Sequence, residues 1–150
     1  MRIALGADHA GVALKREIAR LLDERGIAYT DFGTHSIDSV DYPDFAALVG
    51  REVASGKFDR GILVCGTGIG MAMAANKIPG VRAAAPGDET AARLAREHND
   101  ANVLALGERL IGVEVARDIV TMFLKAPFNG GRHERRVNKI NALDRSHELS

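Results

Sequence analysis

Tryptophan is absent from this 150-residue chain, cysteine occurs once, and neither charge is in excess. Each scarcity excludes something. The lone Cys65 leaves no intrachain disulfide, so stability must come from core burial, and the usage fits a reducing compartment. Twenty Lys+Arg against twenty Asp+Glu leave a net charge of +0, which argues against a domain that lives on nucleic-acid phosphates. No apolar run approaches the roughly 20 residues of a spanning helix. The opening Met1–Asp8 stretch is interrupted too early for a signal-peptide core. The expectation is therefore a cytoplasmic protein with neither a membrane nor a nucleic-acid partner. What is present is ordinary for a globular chain: 46 % hydrophobic and 27 % charged residues. A chain of this length buries about 70 % of its unfolded surface, which suits one domain over 1–150, with 130–150 as a C-terminal extension.

Short apolar runs alternate with helical periodicity. Strands are expected at 2–6, 27–32, 61–65, 81–85 and 102–106; Gly61-Ile62-Leu63-Val64-Cys65 is the clearest central strand. Between them, Leu14, Ile18, Leu21 and Leu22 mark one helix, Phe45, Leu48, Val49 and Val53 a second, and residues 71–76 a third rich in small side chains. Ala91, Leu94, Ala95 and His98 share a face of the next, Val115, Ile119, Met122 and Phe123 define another, and a last helix runs from after Gly130-Gly131 to about Leu143. This alternation predicts an α/β fold, a Rossmann-like three-layer sandwich with a five-stranded parallel sheet. Ligands of such sheets bind beyond the carboxyl ends of the strands. Asp8-His9, Cys65, His98 and Gly107 to Arg109 are all expected at that rim.

The segment Cys65-Gly66-Thr67-Gly68-Ile69-Gly70 carries the strongest local signal. Alternate glycines let backbone N–H groups approach an anion closely, and a thiol beside a helix start is made more acidic. The competing reading is a buried cysteine packing as a small hydrophobe. Several familiar sites fail on spacing, because Met71 stands where a dinucleotide loop needs its last glycine and where a cysteine phosphatase needs arginine. No Walker lysine and no second cysteine for a redox pair are present. Asp8-His9 reads either as an acid–base or phosphate-contacting pair or as a helix cap with a neighbouring histidine. On a helical projection of the last helix, Arg132 and Arg136 share a sector with Ile140 and Leu143. Arginines on a packing face need anionic partners, from an acidic residue, a neighbouring subunit or a phosphate ligand. No aromatics accompany them for base stacking, and the histidines (His9, His35, His98, His133, His147) show no metal-ligand spacing.

Taken together, Gly6-Ala7-Asp8-His9-Ala10-Gly11, Asp41-Tyr42-Pro43, Cys65 to Gly70, Ala74-Ala75-Asn76-Lys77, Arg96 to Asp100 and Gly130-Gly131-Arg132-His133 resemble the type B ribose-5-phosphate isomerases. That family also contains isomerases of allose, galactose and tetrose phosphates. The resemblance implies metal-free, cofactor-free aldose–ketose interconversion through a cis-enediolate. It implies Cys65 as the base, Thr67 near O1 and O2, and the amides of Gly66, Thr67, Gly68, Ile69 and Gly70 around the enediolate. His98 is implied in ring opening, Asp8 in orientation and Asn99 in holding hydroxyls, with His9, Arg109, Arg132 and Arg136 at the phosphate. It further implies a dimer or tetramer whose last helix packs on a neighbouring subunit and whose sites are shared. One branch of the family has serine for the cysteine and glutamate at position 71; Cys65 and Met71 place this chain in the other. The Ala85-Pro86-Gly87-Asp88 segment departs from the usual pattern and bears on sugar length. Four- and six-carbon substrates, a non-catalytic phosphate-binding domain, and a structural oligomer with intersubunit arginine pairs are the alternatives.

Overall fold

The computed structural model describes residues 1–148, and side chains through residue 144; His147 and the last two residues of the expected 1–150 unit lie outside what it describes for side chains and backbone respectively. Five strands form one parallel sheet: β1 (Arg2–Ala7), β2 (Ala28–Asp31), β3 (Arg60–Cys65), β4 (Ala83–Ala84) and β5 (Val103–Gly107), in the order β2-β1-β3-β5-β4. Six helices are described: α1 (Val12–Glu24), α2 (Tyr42–Ala54), α3 (Ile69–Ala75), α4 (Glu89–Asn99), α5 (Val113–Lys125) and α6 (Arg132–Glu148). The expected parallel α/β architecture is present.

The period-two alternation of the strands divides the core between the two faces of the sheet. Ile3, Leu5, Ile62, Val64, Leu104 and Leu106 point toward α1, α4 and α5, where Ile18, Leu22, Ile119 and Phe123 meet them. Ala4, Leu63, Cys65, Val103 and Ala105 point to the other side, against Val49, Val53, Met71 and Ala75 of α2 and α3. Met71, the position of the other branch's glutamate, is thus a fully buried core side chain.

Three local expectations need correction. The fourth strand shrinks to two residues: the Arg82 amide donates to the Asn102 side chain at 2.7 Å, and Pro86 has no N–H to extend a ladder. Helix α3 starts at Ile69, two residues early, because Gly68 at φ +78° takes the left-handed turn that ends the loop. The buried face of α4 is Ala92, Ala95 and Arg96, rotated from the predicted one; Ala91 is exposed and His98 half-buried. Arg96 passes as a core residue because its Nη1 donates to Asp100 Oδ1 at 2.8 Å and to the Ala101 carbonyl at 2.7 Å.

The α6 face is also rotated. Within the chain α6 packs through Val137, with His133 stacked on His98 at a centroid distance of 4.2 Å, Asn141 accepting from Arg82 at 3.0 Å and Asp144 accepting from the Gly80 amide at 2.9 Å. Arg132, Arg136, Ile140 and Leu143, the predicted packing sector, are all exposed.

Candidate functional site

The strand order reverses between β1 and β3, and a crevice opens beyond their carboxyl ends, where such folds place ligands. It is a cavity of about 440 Å³. Asp8, His9 and Ala10 enter it from the end of β1; Cys65, Gly66, Thr67, Ile69, Gly70 and Met73 from the end of β3; Arg109 from the end of β5; and Tyr42 from the start of α2.

Each polar group is held by its local fold. Asp8 is 6 % exposed, and its Oδ1 accepts from the Ala10 amide at 3.0 Å, capping the helical turn over His9–Gly11. The capping reading of Asp8 is therefore correct, and it leaves Oδ2 with no hydrogen-bond partner among the described residues. His9 Nδ1 accepts from the Val40 amide at 3.2 Å, so in neutral His9 the proton sits on Nε2, making that nitrogen a donor. Cys65 is 5 % exposed yet lines the cavity, and the Gly68 amide donates to its Sγ at 3.1 Å. A thiolate formed there would meet a backbone dipole already aimed at it.

Each glycine of the loop also has a packing role. Gly68 supplies the positive φ, Gly66 faces the Arg109 guanidinium, and a Cβ on Gly70 would lie 2.7 Å from the Tyr42 ring. The loop amides are not all free either, since Gly68 is committed to Sγ and Ile69 to Thr67 Oγ1 at 3.2 Å. Tyr42 and Met73 are lining residues that sequence reasoning passed over; the Asp41-Tyr42-Pro43 motif was the available signal for the first.

One expectation fails within a single chain. His98 and Asn99 end α4, which leads back into the amino end of β5, so they lie at the opposite end of the sheet from Cys65. β5 alone, from Val103 to Gly107, spans about 13 Å at the usual rise per residue. Arg132 and Arg136 are at that far end too, because α6 begins against α4: the Asn129 amide donates to the Glu97 carbonyl at 3.0 Å, and His133 stacks on His98. Desolvation, then the charges of His98, Arg132 and Arg136, lower the pKa of His133. Neither Arg132 nor Arg136 forms an ion pair among the described residues. The candidate residues thus fall into two half-sites, with Asp8, His9, Cys65, Thr67 and Arg109 in one and His98, Asn99, Arg132 and Arg136 in the other.

Among the described residues no helix is long and apolar enough to cross a membrane. A family model described as Ribose/Galactose Isomerase matches residues 3–140. Ribose-5-phosphate isomerase B of Escherichia coli is 48 % identical over 95 % of this chain and 96 % of its own. D-erythrulose-4-phosphate isomerase of Pectobacterium atrosepticum is 43 % identical over 93 % of each. The solved structure of ribose-5-phosphate isomerase B from Clostridium thermocellum superposes with a TM-score of 0.97 at 55 % identity, covering 98 % of this chain and 99 % of that one.

Proposed function

The chain belongs to the Ribose/Galactose Isomerase family and is a sugar-phosphate isomerase, and we propose that it interconverts ribose 5-phosphate and ribulose 5-phosphate with Cys65 as the general base. The observation that carries this reading is that Cys65, whose sulfur accepts from the Gly68 amide, lines the same crevice as Asp8, whose Oδ2 has no hydrogen-bond partner among the described residues.

In the forward direction His98 protonates the ring oxygen while the O1 proton leaves, giving the open aldehyde. The Cys65 thiolate removes the hydrogen on C2, and the electron pair moves into a C1–C2 double bond, leaving the negative charge on O1. The enediolate is held by Thr67 Oγ1 and the loop backbone. The thiol then returns the proton to C1 while the O2 proton passes to O1 and the carbonyl forms at C2. No oxidant, metal or covalent intermediate enters this balance. His9 Nε2, Arg109, Arg132 and Arg136 take the phosphate, the arginines by forked contacts.

This assignment requires two copies of the chain. The half-sites lie at opposite ends of the sheet, so a second copy brings its His98, Asn99, Arg132 and Arg136 to the first copy's crevice. The exposed Ile69, Met73, Ile140 and Leu143 beside both half-sites supply apolar surface for that contact. The test is mixing of two inactive variants. Cys65→Ala and His98→Ala should each lose about 10²–10⁴-fold in kcat while folding normally. A hybrid dimer has one doubly damaged and one intact site, so a statistical mixture refolded together should recover about a quarter of wild-type activity. Failure to recover any activity refutes the shared site, and normal turnover in Cys65→Ala refutes the base.

The identity to an erythrulose-phosphate isomerase favours a four-carbon sugar as the second reading. Relative kcat/KM on four-, five- and six-carbon aldose phosphates decides between them.

A further inference from the structure

A second cavity, of about 540 Å³, lies at the amino ends of β3, β4 and β5, at the far end of the sheet from Cys65. Arg60 at the start of β3, Arg82 just before β4 and Arg96 near the end of α4 converge on it, against the carboxylates of Asp59 and Asp100. The three positive charges outnumber the two negative ones, and the carboxylates are already engaged. Asp100 accepts from Arg96 Nη1 at 2.8 Å and faces Arg82 Nη2 at 3.4 Å, while Asp59 Oδ2 accepts from the Arg2 amide at 2.6 Å.

Arg60 is the exception in this cluster. Its Nη1 donates to the Phe123 carbonyl at the end of α5, which accounts for one nitrogen as a helix C-terminal cap. The guanidinium carbon also lies 5.5 Å from the centroid of the Phe123 ring, but Nε and Nη2 have no hydrogen-bond partner among the described residues, no carboxylate oxygen of those residues lies within 4.0 Å, and Nη2 of Arg96 likewise has no hydrogen-bond partner. None of the described buried side-chain nitrogens is left unsatisfied, so these edges are open to the cavity. Burial pushes the Arg60 guanidinium down to about 10, and the Arg96 charge pushes the same way. Asp100 and Asp59 push the other way, so the cation persists at neutral pH, and converging guanidinium edges fit the tetrahedral oxygens of a phosphate.

We propose that this cavity is a second anion site, separate from the isomerase crevice, which binds a small phosphate monoester on the open edges of Arg60 and Arg96. Its position ties it to the catalytic elements. Arg82 also holds Asn141 of α6, and Asp100 directly follows His98 and Asn99, so an occupant bears on the supports of the second half-site.

Inorganic phosphate, titrated into the full chain and followed by amide NMR, tests the proposal. The amides of Asp100 and Asn102 report the new cavity, and those of Gly66 and Thr67 report the crevice, so failure of one reading is distinguishable from failure of the other. The wild type should show saturable shifts in both sets. Arg60→Gln should weaken binding at Asp100 and Asn102 by about tenfold or more, with crevice shifts and turnover retained. Asp59→Asn, which keeps an acceptor for the Arg2 amide but removes a negative charge, should tighten that binding about two- to fivefold. Misfolding cannot imitate a gain, so this variant decides the matter if Arg60→Gln is unstable. Absent shifts at Asp100 and Asn102, identical shifts in Arg60→Gln, or unchanged affinity in Asp59→Asn would overturn the proposal.

Discussion

Replacing Gly107 by alanine puts a methyl group where the Cys65–Gly70 loop crosses the end of β5. Gly107 pairs with Cys65 across β3 and β5, and a Cβ built on it would lie 2.5 Å from the Thr67 carbonyl carbon, 2.6 Å from its oxygen and 2.7 Å from its Cα. Ordinary carbon contacts start near 3.5 Å, so one backbone must retreat by about 1 Å. Neither is a flexible side-chain end. Overpacking of this kind costs about 1–3 kcal/mol. For a chain of this size that lowers the melting temperature by about 2–10 °C. Catalysis should suffer more, because the segment that shifts carries Thr67 and, next to it, the Gly68 amide that contacts Sγ. A misplacement near 1 Å costs about 10²-fold in rate. Gly87→Ala is the control, since no atom lies within 4 Å of its Cβ position and its φ is ordinary. It should melt and turn over like the wild type. The measurements are thermal unfolding by circular dichroism and kcat on ribose 5-phosphate. A folded Gly107→Ala enzyme with wild-type kcat would refute the claim that this close crossing sets the loop.

Lys15→Met should cost about 2–4 kcal/mol in urea unfolding, because Lys15 is 1 % exposed and holds both Asp31 Oδ1 at 2.8 Å and the Thr34 carbonyl; the 28 % exposure of Asp31 lets water recover part of that loss. It should also raise KM, since Thr34 begins the loop that brings the Val40 amide to His9. The folded-state pKa of His133 is lowered, so the unfolded chain binds more protons in that window. Stability should therefore be complete above about pH 6.5 and fall as the pH drops below it, with a flatter profile in His133→Gln; equal slopes in the two proteins would contradict this. Arg136→Ala should leave the unfolding free energy within about 0.5 kcal/mol of wild type, the side chain being exposed and without an ion pair among the described residues, while raising KM about tenfold or more. An unchanged KM with loss of oligomer would instead give the arginine a structural role.

Much of the fold was legible because burial on both sides of a parallel strand leaves a continuous apolar run, as in Ile62-Leu63-Val64 and Val103-Leu104-Ala105. The Cys65 to Gly70 segment was legible as a crevice lining because alternate glycines at the carboxyl end of a buried strand mark a turn at that rim. The faces of α4 and α6 were not. A helical projection weighs hydrophobicity, whereas Arg96, Asn141 and Asp144 pack inward because each finds a hydrogen-bond partner. The polarity of α4 could have been read: a helix between parallel strands runs back to their amino ends, which removes His98 from the rim of Cys65.

Local sequence, through strand runs, glycine turns and helix periodicity, determined the five parallel strands and the crevice residues that share one strand end. Those are short-range properties, set by backbone sterics and by which side chains avoid water. Tertiary structure alone decided that Gly66, Gly68 and Gly70 serve Arg109, the loop turn and Tyr42, that Met71 is core, and that α6 brings Arg132 and Arg136 to the end of the sheet where His98 lies. Those depend on distances between segments far apart in the chain, which residue spacing does not encode.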